Sequence, residues 1–311
     1  MRVTSSSFPN TLITQLGSLA TRQAQLQSQV ATGQRVQRPE DDPGAMRRVL
    51  DLQTESKTVG QYQRNIVRQQ ELATDTFSAV KALKRISDRA GEIATLADGL
   101  RSPEELAIFA REVDGLIKQG VQVANTKNRG DHIFAGTRTD QPPFVLSTDA
   151  AGLVTGVTYA GNTSLAESEI AEGLTMSTQA LGANSTGSGP RGLIADTGAG
   201  SDLFNHLVAL RDNLLAGNTA AIAGTDRAAL ARDEDNLIYH IGANGAMQAR
   251  LEASAAIAVD RGMSLEQRVS GEVDADLAQT LVRLNQTQNA YQAALQSGGK
   301  IINLSLLDYI R

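Results

Sequence analysis

The chain has 311 residues, no cysteine, no tryptophan, 4 % aromatic residues and a formal net charge of −5. Its length allows two or three domains, and the absence of cysteine excludes disulfides, thiolate metal sites and a thiol nucleophile. With so few rings, cores have to be built from Leu, Ile, Val and Ala, which favours narrow helix-on-helix seams.

The first twenty residues hold one Arg and no apolar run of signal-peptide length, and no stretch approaches the roughly 20 apolar residues of a membrane span. Neither a cleaved leader nor a membrane anchor is expected. Apolar positions then recur at helical spacing: Leu12, Leu16, Leu19, Gln23, Leu26 and Val30. This predicts a first helix ending at Gly33, a residue that tolerates the left-handed conformation of a helix C′ position. A second helix should open at Asp42-Pro43, where Asp caps backbone donors and Pro suits the first turn. Its seam holds Tyr62, Ile66, Ala73, Val80, Leu83, Ala90, Ala94 and Ala97. A helix from Pro43 to Gly99 would be roughly 85 Å long, so an elongated rod is expected. Ser102-Pro103-Glu104-Glu105 fits a capping box for a third helix running through Leu106, Ala110, Val113, Ile117 and Ala124 to about Gly130.

Residues 131–200 differ in character, with 11 of the 28 glycines and 3 of the 7 prolines. Weak alternation around Phe144-Val-Leu, Gly152–Tyr159 and Leu165–Met176 predicts a small β-rich module. Two basic residues (Arg138, Arg191) face seven acidic ones there, so this module carries the whole net charge and the remainder is balanced. No basic stripe suited to nucleic acid exists. A shorter helix is predicted from Ser201 to about Gly217. Leu230, Leu237, Ile241, Leu251, Ala255, Ala258, Leu265 and Val269 then form one seam, and Leu277, Leu281, Leu284, Gln288, Tyr291, Leu295 and Ile302 another. The two are out of phase across Ser270–Asp276, which predicts a break or hinge. Helices before and after a compact insert imply a mainly α fold: an antiparallel bundle or coiled coil with a β-rich outer module.

Both ends are nearly uncharged. Residues 1–33 contain only Arg2 and Arg22, and residues 284–307 only Lys300. Solvated helix faces are normally rich in Glu and Lys. Helices that become surrounded on assembly would instead avoid charge, because burying a charge without a partner is costly. Gln23 and Gln288 stand among apolar residues and could share a polar layer that fixes register. Each terminal helix alone is marginal in water, so both ends are expected to be largely disordered in the monomer and to fold on assembly.

No catalytic, cofactor or metal constellation is found. His132, His206 and His240 lack metal-ligand spacing, and the glycine-rich Gly187–Gly192 run matches no phosphate-binding loop. Asp41-Asp42 is read as helix capping. Asn162-Thr-Ser and Asn184-Ser-Thr match a glycosylation sequon and decide nothing here.

Ala31-Thr-Gly-Gln-Arg-Val-Gln-Arg-Pro-Glu-Asp-Asp-Pro43 resembles the S-T-G-x-R-[IV]-x-x-P-x-D-D-P loop of flagellin-related proteins. Gly130-Asp-His-Ile-Phe-Ala-Gly-Thr137, followed by Pro143-Phe144, resembles the G-x-[YH]-[IL]-F-[AS]-G segment of the hook-associated branch of that family. The C-terminal run from Asp276 to Arg311 resembles the family's closing helix. Arg38, where a small polar residue or Asn is common, and Asp131-His132 depart from the pattern. Flagellins more often have A-D-D-A-A-G where this chain has Asp41-Asp42-Pro43-Gly44-Ala45. The resemblance implies a structural subunit of the bacterial flagellum, a hook–filament junction protein and not an enzyme, exported unfolded through the type III apparatus without a cleaved signal. Flagellin itself, or a type III needle-tip or adhesin-like rod, is the alternative. Residues 1–33 and 277–311 would form an inner coiled-coil layer, 34–134 and 201–276 a helical rod, and 135–200 the outer insert. Copies would join through the two terminal seams above. Gly33, Arg35, Pro39, Asp41, Asp42 and Pro43 would form the loop between layers, and Ile133, Phe134, Gly136 and Phe144 would open the outer module. Implied partners are further copies of the chain, hook-associated protein 1, flagellin and a cytoplasmic export chaperone, with no cofactor, nucleic acid or membrane.

Overall fold

The structure, a computed structural model, describes residues 7–97 and 99–309, with side chains described for 10–97 and 99–300. The chain divides into two compact units, Met1–Thr58 with Arg261–Arg311, and Val59–Asp260.

The first unit contains α1 (Ser7–Thr32), the start of α2 (Pro43–Leu96), the end of α6 (Arg227–Val273) and α7 (Leu277–Tyr309). The helix break predicted at Ser270–Asp276 falls between α6 and α7. In the second unit, α2 and α6 run antiparallel. Gln63 Nε2 donates to the Ala258 carbonyl at 3.1 Å, and Asn244 Nδ2 to the Ala73 carbonyl at 3.1 Å. The predicted α2 seam is inward: Ile66, Ala73, Val80, Leu83 and Ala90 are all fully buried.

Helix α3 (Pro103–Ala124) begins with the predicted capping box. The Ser102 hydroxyl accepts the Glu105 N–H, and the Glu105 carboxylate accepts the Ser102 N–H. It stops six residues before Gly130. Asn125 ends it and pairs like a short strand with Phe144, donating to its carbonyl at 2.8 Å and accepting its N–H at 3.0 Å. The turn of the hairpin that follows, β1 (Lys127–Asn128) with β2 (Asp131–His132), puts Arg129 and Gly130 at positive φ, where a helix cannot continue.

The β-rich module is a set of short ladders. β3 (Phe144–Thr148) pairs antiparallel with β4 (Val154–Tyr159), and β5 (Ser168–Ala171) with β6 (Leu174–Met176). β7 (Leu181–Asn184) pairs parallel with β8 (Gly192–Asp196), which pairs antiparallel with β9 (Ser201–Asp202). β7 and β8 are almost wholly buried, leaving no alternation to detect in the sequence, and β9 has only two residues. α4 (Leu203–Leu215) packs antiparallel on α3. A short α5 (Thr219–Ala221) and a single π turn at Ile222–Asp226 lead into α6.

One core joins the helices to the module: Leu83 and Ile93 of α2, Ile117 of α3, Phe204 and Leu207 of α4, Leu237 of α6, and Ile133, Phe134, Phe144 and Ile194 from the strand region. Phe144 lies 5.2 Å from the Tyr159 ring and 5.6 Å edge-on from Phe204. The Tyr159 hydroxyl donates to the Phe134 carbonyl at 3.0 Å, and burial pushes its pKa up to about 12. The buried Arg211 and Asp114 tie α4 to α3. Asp114 also accepts the Val154 N–H at 3.0 Å, fixing the start of β4.

Gly136 has φ +66°, and a Cβ there would lie 2.5 Å from the Asn162 carbonyl oxygen and 2.9 Å from that of Ser164. Gly173 has φ +68° with nothing within 4 Å. Gly136→Ala should therefore lower unfolding free energy by about 2 kcal/mol or more, against about 1 kcal/mol for Gly173→Ala. Urea denaturation of the two variants measures the difference.

Candidate assembly interface

In the first unit, two connections far apart in sequence lie side by side. Gly33, at φ +73°, ends α1 with its N–H on the Gln29 carbonyl at 2.9 Å. Gln34 forms an antiparallel bridge with Asp274. The Arg35 N–H donates to the Val273 carbonyl at 2.6 Å, and the Ala275 N–H to the Gly33 carbonyl at 2.8 Å. The turn of the α1–α2 connection is thus paired with the α6–α7 connection by backbone hydrogen bonds.

Charged side chains reinforce this pairing. Arg35 bonds the Glu272 carbonyl at 2.8 Å and the Asp42 carboxylate at 3.2 Å. Arg48 grips Glu272 with two nitrogens at 2.9 and 2.8 Å, a bidentate geometry. Asp42 caps α2, accepting the Ala45 N–H at 2.9 Å, with Pro43 in the first turn as predicted. Pro39 sits in an exposed turn closed by the Asp41 N–H on the Arg38 carbonyl at 3.0 Å, and the Asp41 carboxylate accepts the N–H groups of Gln37 and Arg38. Val36 and Ala45 are buried beneath the loop. All six predicted loop residues therefore lie on one short segment. Glu272 was missed because nothing local links it to a loop more than two hundred residues away, and Arg48, just past the loop, was missed because its partner is Glu272. Asp276, which caps α7 by accepting the Gln279 N–H at 3.1 Å, was legible as an Asp just before a new helix.

Beyond the connection, α1 and α7 pack antiparallel. On α1, Leu26 is buried, and Leu12, Leu16, Leu19, Gln23 and Val30 are half-buried. On α7 the inward line differs from the leucine line. Thr280, Thr287 and Gly298 are buried, with Leu284, Tyr291 and Ala294 half-buried between them. This line also repeats every seven residues, but it alternates large with small. Opposite a continuous row of leucines, small residues let the helices close: a Cβ on Gly298 would lie 2.4 Å from a Leu12 methyl. Within the subunit, Leu284, Gln288 and Tyr291 sit at or beside the seam. Leu277, Leu281 and Leu295 do not, being 47 %, 46 % and 47 % exposed. The Ile302 side chain lies outside the described residues. Ile133, Phe134 and Phe144 are buried and meet with Gly136 in the second unit, in the core described above.

No group of three or more His, Asp or Glu side chains placed to hold a metal occurs among the described residues, and none of their helices is long and apolar enough to cross a membrane. Asn184, of the second sequon, is buried and engaged with the Ser188 and Pro190 carbonyls.

Residues 9–139 match the family model of the bacterial flagellin N-terminal helical region. Flagellar hook-associated protein 3 of Escherichia coli K12 is 25 % identical over 293 residues, 89 % of this chain and 90 % of that protein. The chain is therefore a relative of flagellar hook-associated protein 3. Among solved structures, a putative flagellar hook-associated protein from Vibrio parahaemolyticus superposes with a TM-score of 0.65 at 18 % identity, over 75 % of this chain and all of that one. Bacillus cereus FlgL does so at 0.56 and 19 %, over 71 % and 99 %. The mainly helical fold with a small strand module is thus shared with the hook-associated proteins, and the likeness supports a structural flagellar role rather than a catalytic one.

Hydrogen bonds hold the interface carboxylates below their ordinary values. For Asp41 the main cause is the Arg38 N–H, for Asp42 the Ala45 N–H, and for Glu272 the Arg48 guanidinium. Lowered folded values mean that this stabilisation is present above the ordinary 3.8 and 4.5 and is lost as pH falls through the folded values. Protection of the Ala45 amide from hydrogen exchange should accordingly drop as pH falls below 3.8. In Asp42→Asn, whose amide still caps but does not titrate, that drop should vanish.

Proposed function

We propose that this chain is a structural subunit joining hook to filament in the bacterial flagellum, and that copies associate through their terminal helices. The supporting observation is the outer face of the α1–α7 pair. α1 carries a single charged side chain, Arg22, while Ile13, Leu277, Leu281, Val282 and Leu295 stand exposed beside amides and hydroxyls. An isolated subunit has no use for a sparsely charged, leucine-bearing outer surface, whereas neighbouring copies can bury it at about 25 cal/mol per Å2. The curated relatives are named flagellar hook-associated protein 3, which supports a place in the flagellum.

On this reading residues 1–33 and 277–311 form the inner layer, 34–134 and 201–276 the rod, and 135–200 the outward module. The half-buried line Leu12, Leu16, Leu19, Gln23, Leu26 and Val30 closes each subunit, and Leu277, Leu281 and Leu295 serve the next copy. Hook-associated protein 1 lies on the hook side and flagellin on the filament side. A cytoplasmic chaperone accompanies the chain until it is exported, unfolded and without a cleaved signal, to the cell exterior. Gly33 and the Asp42 loop set the angle between layers, so their substitution weakens assembly more than monomer folding.

Two experiments test this. Immunogold electron microscopy with antibody against residues 145–200 should label a single point at the hook–filament boundary. Label along the filament would make the chain a flagellin, and unlabelled flagella would remove the flagellar role. In purified protein, Leu26→Ala should cost about 2–5 kcal/mol of stability in the first unit. Leu281→Ala with Leu295→Ala should leave monomer stability within about 1 kcal/mol yet reduce motility and self-association. Full assembly by the double variant would reject the proposed contact.

A further inference from the structure

The second unit contains a cavity of about 160 Å3 between α2, α6 and the strand module. Two deeply buried polar atoms on its walls have no partner: Thr76 Oγ1, on a residue 2 % exposed, and His240 Nε2, on a residue 9 % exposed. Other helical threonines here, Thr54 and Thr74 among them, return their hydroxyl to the carbonyl four residues back, and Thr76 does not. Orphaned buried groups of this kind cost free energy unless something fills them. At the same cavity the Arg191 guanidinium lies 4.6 Å over the Tyr239 ring. It makes no ion pair among the described residues, although it is one of only two cations in the acidic module. Much of the remaining wall is apolar, including Leu165, Pro190 and Met247, and Ser177, Thr178, Gln179 and Asn244 add polar groups to it.

We propose that this cavity binds a short aliphatic carboxylate of about three or four carbons. The volume equals that of about five waters, matching five or six heavy atoms. The carboxylate would face Arg191, Thr76 Oγ1 and His240 Nε2, satisfying both orphans and the unpaired cation, while the tail lies on Leu165, Pro190 and Met247. Water alone would satisfy the polar atoms but wet the apolar wall. An amine would meet Arg191 with like charge.

Binding is expected to carry a proton. Burial, joined by the Arg191 charge, holds His240 below its ordinary 6.5, against opposing contributions from the Gly192 backbone and the Asp196 carboxylate. A carboxylate at Nε2 adds the missing negative charge, raises the imidazole's affinity for a proton, and therefore binds more tightly as pH falls.

The test is a titration of the full chain with sodium butyrate, followed by the imidazole carbon-bound proton signals in NMR. His132 and His206 serve as internal references, and His240→Gln assigns the third signal. The expected result is a saturable shift at His240 alone, an upward move of its titration midpoint, and binding weakened roughly tenfold or more by Arg191→Gln. Thr76→Val supplies a second variant should Arg191→Gln disturb the reference signals. n-Butanol and butylammonium should not saturate. Absence of a saturable butyrate shift, which leaves a water-filled cavity, would overturn the site. So would an equal response to n-butanol, or a response unchanged in both variants. None of these outcomes depends on the flagellar reading.

Discussion

The backbone pairing of the two connections, Gln34 against Asp274, is the constraint on which the first unit depends. Arg35 and Glu272 are separated by 237 residues. Bringing such points together costs loop-closure entropy before any contact repays it. The bridge, the Arg35 and Arg48 bonds to Glu272, and two aspartate caps concentrate the compensating interactions where α1 ends, α2 begins, α6 ends and α7 begins. Once those ends are fixed, the phase of α1 against α7 is fixed too. This is why Thr280, Thr287 and Gly298 of α7, and not Leu277, Leu281 and Leu295, face inward. The ion pairs themselves are largely exposed and contribute little singly. Their value lies in geometry, because a bidentate grip and a capped turn permit only one register.

The two units then meet different demands. The second is held by a continuous core in which helices and strands share Phe134, Phe144, Phe204 and their neighbours. The first has few fully buried side chains along its terminal pair, and Leu26 is the one buried leucine on α1. A helix pair that buries so little within one copy and exposes leucines on a sparsely charged face has stability to gain from further copies. That asymmetry is what a polymerising subunit requires: one part that holds its shape alone and another that completes its packing by association.

The sequence made much of this legible. Helical spacing located the α2 core and the α6–α7 break, and Ser102, Asp42 and Gly33 gave the capping and terminating positions, because each acts through neighbours within four residues. The line of α7 that faces α1 within the subunit was not legible, because periodicity identifies a stripe but not its partner. Two heptad lines share Leu284 and Tyr291, and only the size of the opposing residues selects between them. Strands β7 and β8 were invisible because near-complete burial removes the alternation that marks a strand, and β9 has only two residues. Glu272 and Arg48 were invisible because their relation to Arg35 is created by the fold.

One constellation shows why residue types alone do not establish chemistry. Ser201, His206 and Asp233 are the types of a hydrolytic triad, and His206 Nδ1 lies 2.7 Å from the Asp233 carboxylate. The Asp233 carboxylate raises the His206 pKa through their hydrogen bond, as it would in a triad, so this contact alone does not separate the two cases. The Ser201 hydroxyl is buried, closed to any substrate. Asp233 also accepts the Asp202 N–H at 2.8 Å, so the pair fastens the start of α4 to α6. The same acid–imidazole contact that would orient a base in an enzyme here pins two helices together, in keeping with a molecule whose work is done by its surfaces.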